Sequence, residues 1–148
     1  MANLVRMSEA ASIALHACLW MARKPDNYCS AREICAELGF SAAHFAKVMQ
    51  LLSRAGLVSS TRGPTGGSRL ARSANKITLM QIYESVDGPV NQENGRCLLA
   101  PDICSAECCI LGQSLAKHNN ALQKLLNDTT LADFARNFKP EKGSLLRL

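Results

Sequence analysis

Four cysteines, Cys97, Cys104, Cys108 and Cys109, fall within 13 residues of a 148-residue chain. Thiols gathered at that density hold a soft metal or an iron–sulfur cluster, react with oxidants, or act as nucleophiles. A structural zinc site is more often built from paired C-x-x-C knuckles, and a dithiol redox centre from one; the block contains neither. It is punctuated on its left by Gly88, Pro89, Gly95 and Pro101 and runs on its right into a helical pattern. A helix N-terminus favours the thiolate, the form that ligates. Cys18, Cys29 and Cys35 stand singly among apolar neighbours and read as small residues in or near the core. The odd total of seven argues against a fully paired disulfide framework. No Gly-rich nucleotide fingerprint or H-E-x-x-H is present, and no motif sets His44 or His118 near a cysteine, so the chain does not read as an enzyme.

The second chemical feature is charge. The chain carries a formal +5, and between Glu37 and Glu84 it has no acidic residue at all, while Lys47, Arg54, Arg62, Arg69, Arg72 and Lys76 lie there. A solvated face usually mixes both signs, so a basic, acid-free stretch of this length points to a polyanion partner. The remainder is ordinary: 47% hydrophobic and 20% charged residues suit one folded domain, or one domain plus an assembly arm. No apolar run approaches the ~20 residues needed to cross a bilayer. Residues 1–6 contain no basic stretch leading into a long apolar block. The expectation is a soluble, cytoplasmic protein with no membrane partner.

These groups need positioning elements. Residues 8–22 read as a first helix, with Ile13, Leu15, Leu19 and Met21 apolar. Ser30 to Glu33 is an S-x-x-E capping box that opens a short helix through Leu38, with Ile34 and Leu38 as its core stripe and Gly39 ending it. Ser41 caps the next helix, which buries Phe45, Val48, Met49 and Leu52 and stops at Gly56. Two short helices joined by a glycine-containing turn make a helix-turn-helix. The β-prone Leu57–Thr61 and Ser68–Ala71 flank a turn of Arg62, Gly63, Pro64, Thr65, Gly66 and Gly67, which predicts a hairpin wing. Further helices are predicted over 77–86 (begun by Thr78), over 110–127 (Leu111, Leu115, Leu122, Leu125 and Leu126 on its apolar side), and from Thr130. In such an arrangement the second helix offers Ser41, Ala43, His44 and Lys47 to base edges in the major groove. Arg62 and the glycine-rich turn approach the backbone closely, and Arg32 contacts a phosphate.

The stretch from Glu33-Ile34 through Ala55-Gly56-Leu57-Val58-Ser59-Ser60, the R-G-P-T-G-G wing at 62–67, Ile77-Thr78 and Val86-Asp87-Gly88 resemble the IscR/NsrR family of bacterial winged-helix transcription regulators. Ile13-Ala14-Leu15 to Met21-Ala22 and Thr130-Leu131-Ala132-Asp133 match its pattern too, so the resemblance spans about residues 1–135. It implies a homodimer paired through the long helix and bound to a palindromic operator in double-stranded DNA. It also implies an iron–sulfur cluster held by three cysteines, 2Fe–2S ahead of 4Fe–4S. Cys97 would be the first ligand, Cys104 the middle one and Cys109, followed by Ile110-Leu111-Gly112, the last; Cys108 is an alternative. Gly112 stands where some members have a ligating histidine. A fourth ligand would come from the partner's first helix, as His16 or Glu9, which lie two turns apart on one helix face; a partly buried helix histidine is the other reading of His16. His118 reads as a dimer-surface residue.

The expected architecture is therefore mainly α. Residues 1–88 form a winged helix-turn-helix DNA-binding domain (helix-turn-helix about 30–55, wing about 57–71), and 89–109 a cysteine-rich sensor loop. Residues 110–138 hold the long dimerisation helix and a short terminal helix, and 139–148 a disordered tail. The function that follows is a DNA-binding transcriptional regulator, read as a repressor, whose cluster senses redox, iron–sulfur or nitric oxide status. A cluster-free regulator sensing by thiol oxidation or a small molecule is the alternative.

Overall fold

Between Ala11 and Met21 small and branched apolar side chains recur too densely for a single stripe, and a helix apolar on most sides must be enclosed. In a computed structural model that describes residues 7–25, 27–63, 66–90 and 109–138, this segment is α1 (Glu9–Ala22), the helix around which the domain is built. Ala11, Ile13, Ala14, Leu15, Ala17, Cys18, Leu19 and Met21 are all buried. Its alanines let neighbouring backbones come close. Helices α2 (Ala31–Leu38), α3 (Ala42–Arg54), α4 (Leu79–Asp87) and α6 (Leu131–Asn137) all pack against it, as does the second wing strand.

The helix ends are set by local chemistry. Ser8 Oγ accepts from Ala11 N (3.0 Å), Ser30 Oγ from Glu33 N (3.1 Å), and Thr78 and Gln81 form a full capping box. A second one, between Thr130 and Asp133, opens α6. The box expected at Ser30–Glu33 is only half formed, because the Glu33 carboxylate pairs with Lys24 instead. Gly39 closes α2 in the left-handed region, with φ of 70°, and the chain turns directly into α3.

The wing is an antiparallel pair, β1 (Val58–Thr61) and β2 (Gly67–Leu70), with Val58 opposite Leu70 and Thr61 opposite Gly67. It is tied to the body by Cys29, whose N–H and C=O both bond Ser68 at 2.9 Å. A 3-10 turn, Ala74–Lys76, leads to α4. The 19-residue α5 (Ile110–Asp128) follows, and its end returns to α4 where Leu79 N bonds Thr129 O and Leu131 N bonds Ile77 O.

Cys18 and Cys29 are buried and Cys35 packs at the edge of the same core. Burial pushes the Cys18 thiol up to about 12, and burial also raises Cys29 and Cys35 above the ordinary thiol value. These are core residues with suppressed thiolate character. Among the described residues no helix is long and apolar enough to cross a membrane.

The close approach of Cys29 to the wing requires a residue with no side chain at 67: a Cβ there would lie 2.5 Å from the Cys29 carbonyl oxygen. Gly67→Ala is expected to destabilise the folded state by about 2 kcal/mol in urea denaturation, because the backbone of residues 27–29 must retreat. An unchanged midpoint would show that this strand contact does not hold the wing.

Candidate nucleic-acid interface

Helix α3 buries Phe45, Val48, Met49 and Leu52, and this stripe fixes which side chains face outward. Ser41, Ala43, Lys47, Gln50 and Arg54 are exposed, and His44 is half-buried at the edge. Ser41 sits at the N-cap with extended backbone, but its hydroxyl makes no capping bond, and the first turn of α3 has no acid. The helix therefore presents an N-terminus with uncompensated N–H groups and a cationic exposed side, which suits a phosphate-rich partner. Arg32 is exposed in the first turn of α2.

At the wing, Arg62 and Gly63 are exposed, and Gly66 N bonds Gly63 O at 3.0 Å to close the tip. A Cβ on Gly66 would lie 2.5 Å from Thr61 O, so only glycine allows that closure. Pro64 and Thr65 lie outside the described residues. Between α3 and the wing runs a groove of about 450 Å³, floored by Phe45 and Met49 and edged by Gln50, Arg54, Ser60 and Ser68. The hydroxyls of Ser60 and Ser68 lie 2.8 Å apart. On the other side of β2, the Arg69 guanidinium stacks on Tyr28, 4.7 Å from the ring centroid.

Gln50 and Arg54 are not among the DNA contacts expected from sequence, yet they follow Lys47 by three and seven residues, and the helical period carries them onto one side of α3. The Arg69–Tyr28 stack joins residues 41 positions apart in sequence, and no local signal announces it. His44 also has an unanticipated neighbour: its Nδ1 lies 3.4 Å from Glu9 Oε1 on α1.

The cysteine segment enters the structure at its last member. Cys97, Cys104 and Cys108 lie outside the described residues. Cys109 is the N-cap of α5, and its Sγ accepts from Gly112 N at 3.3 Å. His16 is half-buried, edge-on to Phe40 and Phe138, and its Nδ1–H donates to Ser12 O at 2.7 Å. Glu9 and His16 share α1 but meet different neighbours. His118 is exposed, with Nδ1 on Ser114 O. Of the leucines on α5 only Leu126 is buried. Ile110, Leu111, Leu115, Leu122 and Leu125 form an uncovered apolar row, with Leu111 64% and Leu125 59% exposed.

Over residues 7–137 the chain matches the family described as Rrf2, iron-dependent transcriptional regulators. The chain belongs to the Rrf2 family. That family is one of DNA-binding transcriptional regulators, not of enzymes. A helix-turn-helix-type transcriptional regulator, BadM, of Rhodopseudomonas palustris is 38% identical over 78 residues, 53% of this chain. The match spans half the length of that curated relative. CymR (YrzC), the global cysteine regulator of B. subtilis, superposes with a TM-score of 0.76 at 23% identity, covering 92% of this chain and all of that one. IscR of T. potens superposes with a TM-score of 0.69 at 20% identity, over 94% of this chain and 96% of that one. At those identities the likeness to the solved structures is one of fold: a mainly helical winged-helix protein.

Arg54→Ala and Arg62→Ala should each weaken binding to every duplex sequence about equally and reduce the slope of log affinity against log salt by about one. Titrations between ~50 and 200 mM salt measure this. A slope unchanged in either variant would remove that arginine from the contact surface.

Proposed function

We propose that this Rrf2-family chain acts as a homodimeric, cytoplasmic repressor that reads a palindromic operator and responds to a redox-active cofactor in its cysteine segment. The observation that carries the DNA half of the reading is the coincidence of three features on one side. They are the exposed residues of α3, the wing with Arg62 at its tip, and a stretch of chain with bases but no acids. Ser41, Ala43, His44 and Lys47 read base edges; Arg32, Arg62, Gly63, Thr65 and Gly66 contact the backbone. A two-fold dimer then matches a two-fold site.

Support for the dimer is the apolar row on α5. A helix that leaves Leu111, Leu115, Leu122 and Leu125 uncovered gains most by covering them with the same row of a second copy.

An iron–sulfur cluster would be held by Cys97, Cys104 and Cys109, with Cys108 as a substitute and His16 or Glu9 of the partner subunit as a fourth ligand. When bound, such a cluster supplies reactivity toward oxidants and nitric oxide. Two local features suit ligation. The Cys109 sulfur already accepts a backbone N–H, a contact of the kind that tunes cluster-bound sulfurs. The Ser12 carbonyl accepts only, so Nδ1 of His16 carries the hydrogen and Nε2 is the nitrogen left for a ligand. Because Cys109 caps α5, a rearrangement of residues 97–109 acts on the helix that sets the spacing of the two recognition helices. The surplus thiol at Cys108, and the likeness in fold to CymR of Staphylococcus aureus, solved in an oxidized form, favour thiol oxidation without a cluster as the second reading.

Anaerobic purification with iron and sulfide analysis separates the two. Visible absorbance with iron and sulfide, lost in Cys97→Ala, Cys104→Ala and Cys109→Ala but kept in Cys108→Ala, supports the cluster. A colourless, iron-free protein whose operator affinity changes with oxidant supports the thiols and overturns the cluster. Leu115→Glu combined with Leu122→Glu should give a helical monomer by sedimentation, with operator affinity reduced at least about tenfold. A stable dimer in that variant would contradict pairing through α5.

A further inference from the structure

We infer that Glu9 is a specificity-determining residue, which orients the His44 imidazole toward the operator bases. The inference rests on the reading of α3 as the recognition helix and goes beyond it, because Glu9 belongs to a different helix and lies outside the acid-free stretch; with Glu9 on His44, His16 of the partner subunit is the first-helix candidate left for a cluster.

The geometry is specific. Ser8, the residue before Glu9, is held at both ends of its hydroxyl: Oγ accepts from Ala11 N (3.0 Å) and donates to Asp87 Oδ1 at the end of α4 (2.7 Å). The first turn of α1 is thereby pinned against α4, and Glu9, its first helical residue, projects from a fixed backbone. A carboxylate at that position is also favoured by the helix N-terminus. From there Oε1 reaches within 3.4 Å of His44 Nδ1. His44 is the third residue of α3, in the turn that enters a major groove first.

A carboxylate only accepts, so one at this distance favours the ring orientation that turns an Nδ1–H toward it and leaves Nε2 as the nitrogen available to DNA. An imidazole without that partner can exchange its two nitrogens by a ring flip or a tautomer change, and so presents either edge to a base. Glu9 biases that choice. Its charge works the other way for affinity, because an anion at the margin of a phosphate-binding face repels the backbone. Selectivity gained together with affinity lost is the signature of a residue that discriminates rather than one that attracts.

The test selects bound DNA from a pool of duplexes with a randomised centre, using the full chain as wild type, Glu9→Ala, Glu9→Gln, His44→Ala and the Glu9→Ala/His44→Ala double variant. Glu9→Ala and His44→Ala are expected to lose preference at the same symmetry-related pair of operator positions, each by about fivefold or more. The double variant should lose no more than either single one, the mark of coupled residues. Glu9→Gln, whose amide oxygen still accepts, should keep most of the preference. Glu9→Ala should bind mixed-sequence duplex at low salt as tightly as wild type or more tightly, which loss of folding could not produce. Wild-type preferences retained in Glu9→Ala, or changes at positions different from those of His44→Ala, would overturn the role of Glu9. A wild-type protein that selects no sequence at all would instead overturn the recognition-helix reading beneath it.

Discussion

The arrangement depends on the enclosure of α1. A helix whose Ala11, Ile13, Ala14, Ala17, Cys18 and Met21 are all buried must have neighbours on several sides, and those neighbours include α3 and the second wing strand, which carry the proposed DNA-facing side chains. Helix α3 can expose Lys47, Gln50 and Arg54 because Phe45, Val48 and Leu52 face inward, toward the core that α1 anchors. The wing holds its angle because β2 is bonded to Cys29, just before the start of α2. The α6 helix, which closes the described chain, also packs against α1. Small residues at the centre set close helix spacing, and close spacing leaves little freedom for one element to move alone.

This rigidity is not uniform across the chain. The N-terminal body is densely packed, whereas α5 touches it mainly through α4 and carries most of its apolar side chains exposed. The N-terminal body and α5 thus meet through a contact near Leu79 and Thr129. The cysteine segment enters α5 at the opposite end, at Cys109. In the proposed dimer, α5 would be the lever between a signal acting on that segment and the two DNA-facing bodies.

Much of this was legible in the sequence, where the signals are local. Ser8, Ser30, Thr78 and Thr130 mark helix starts by side-chain capping, Gly39 marks the turn of the helix-turn-helix, and the glycines at 63, 66 and 67 mark the wing. Each acts on atoms a few residues away, so a linear reading suffices. What escaped depends on packing between distant segments. Glu33 has the spacing of a capping residue, yet its carboxylate goes to Lys24. Glu9 shares a face of α1 with His16, seven residues on, and only the fold shows that His44 lies beside it. Tyr28 and Arg69 meet only because Cys29 docks on the wing. The cysteine block was legible as a set of residue types, and its three earlier members lie outside the described residues.

In the proposed complex two copies of one basic surface, α3 with its wing, engage one duplex in a two-fold manner. Hydroxyl-radical footprinting of the full chain on a duplex recovered by selection measures this directly. Protected patches related by a two-fold axis are expected, with centres about one helical turn, ~34–36 Å, or a multiple of it apart. A single unpaired patch, or protection spread evenly along the duplex, would contradict it.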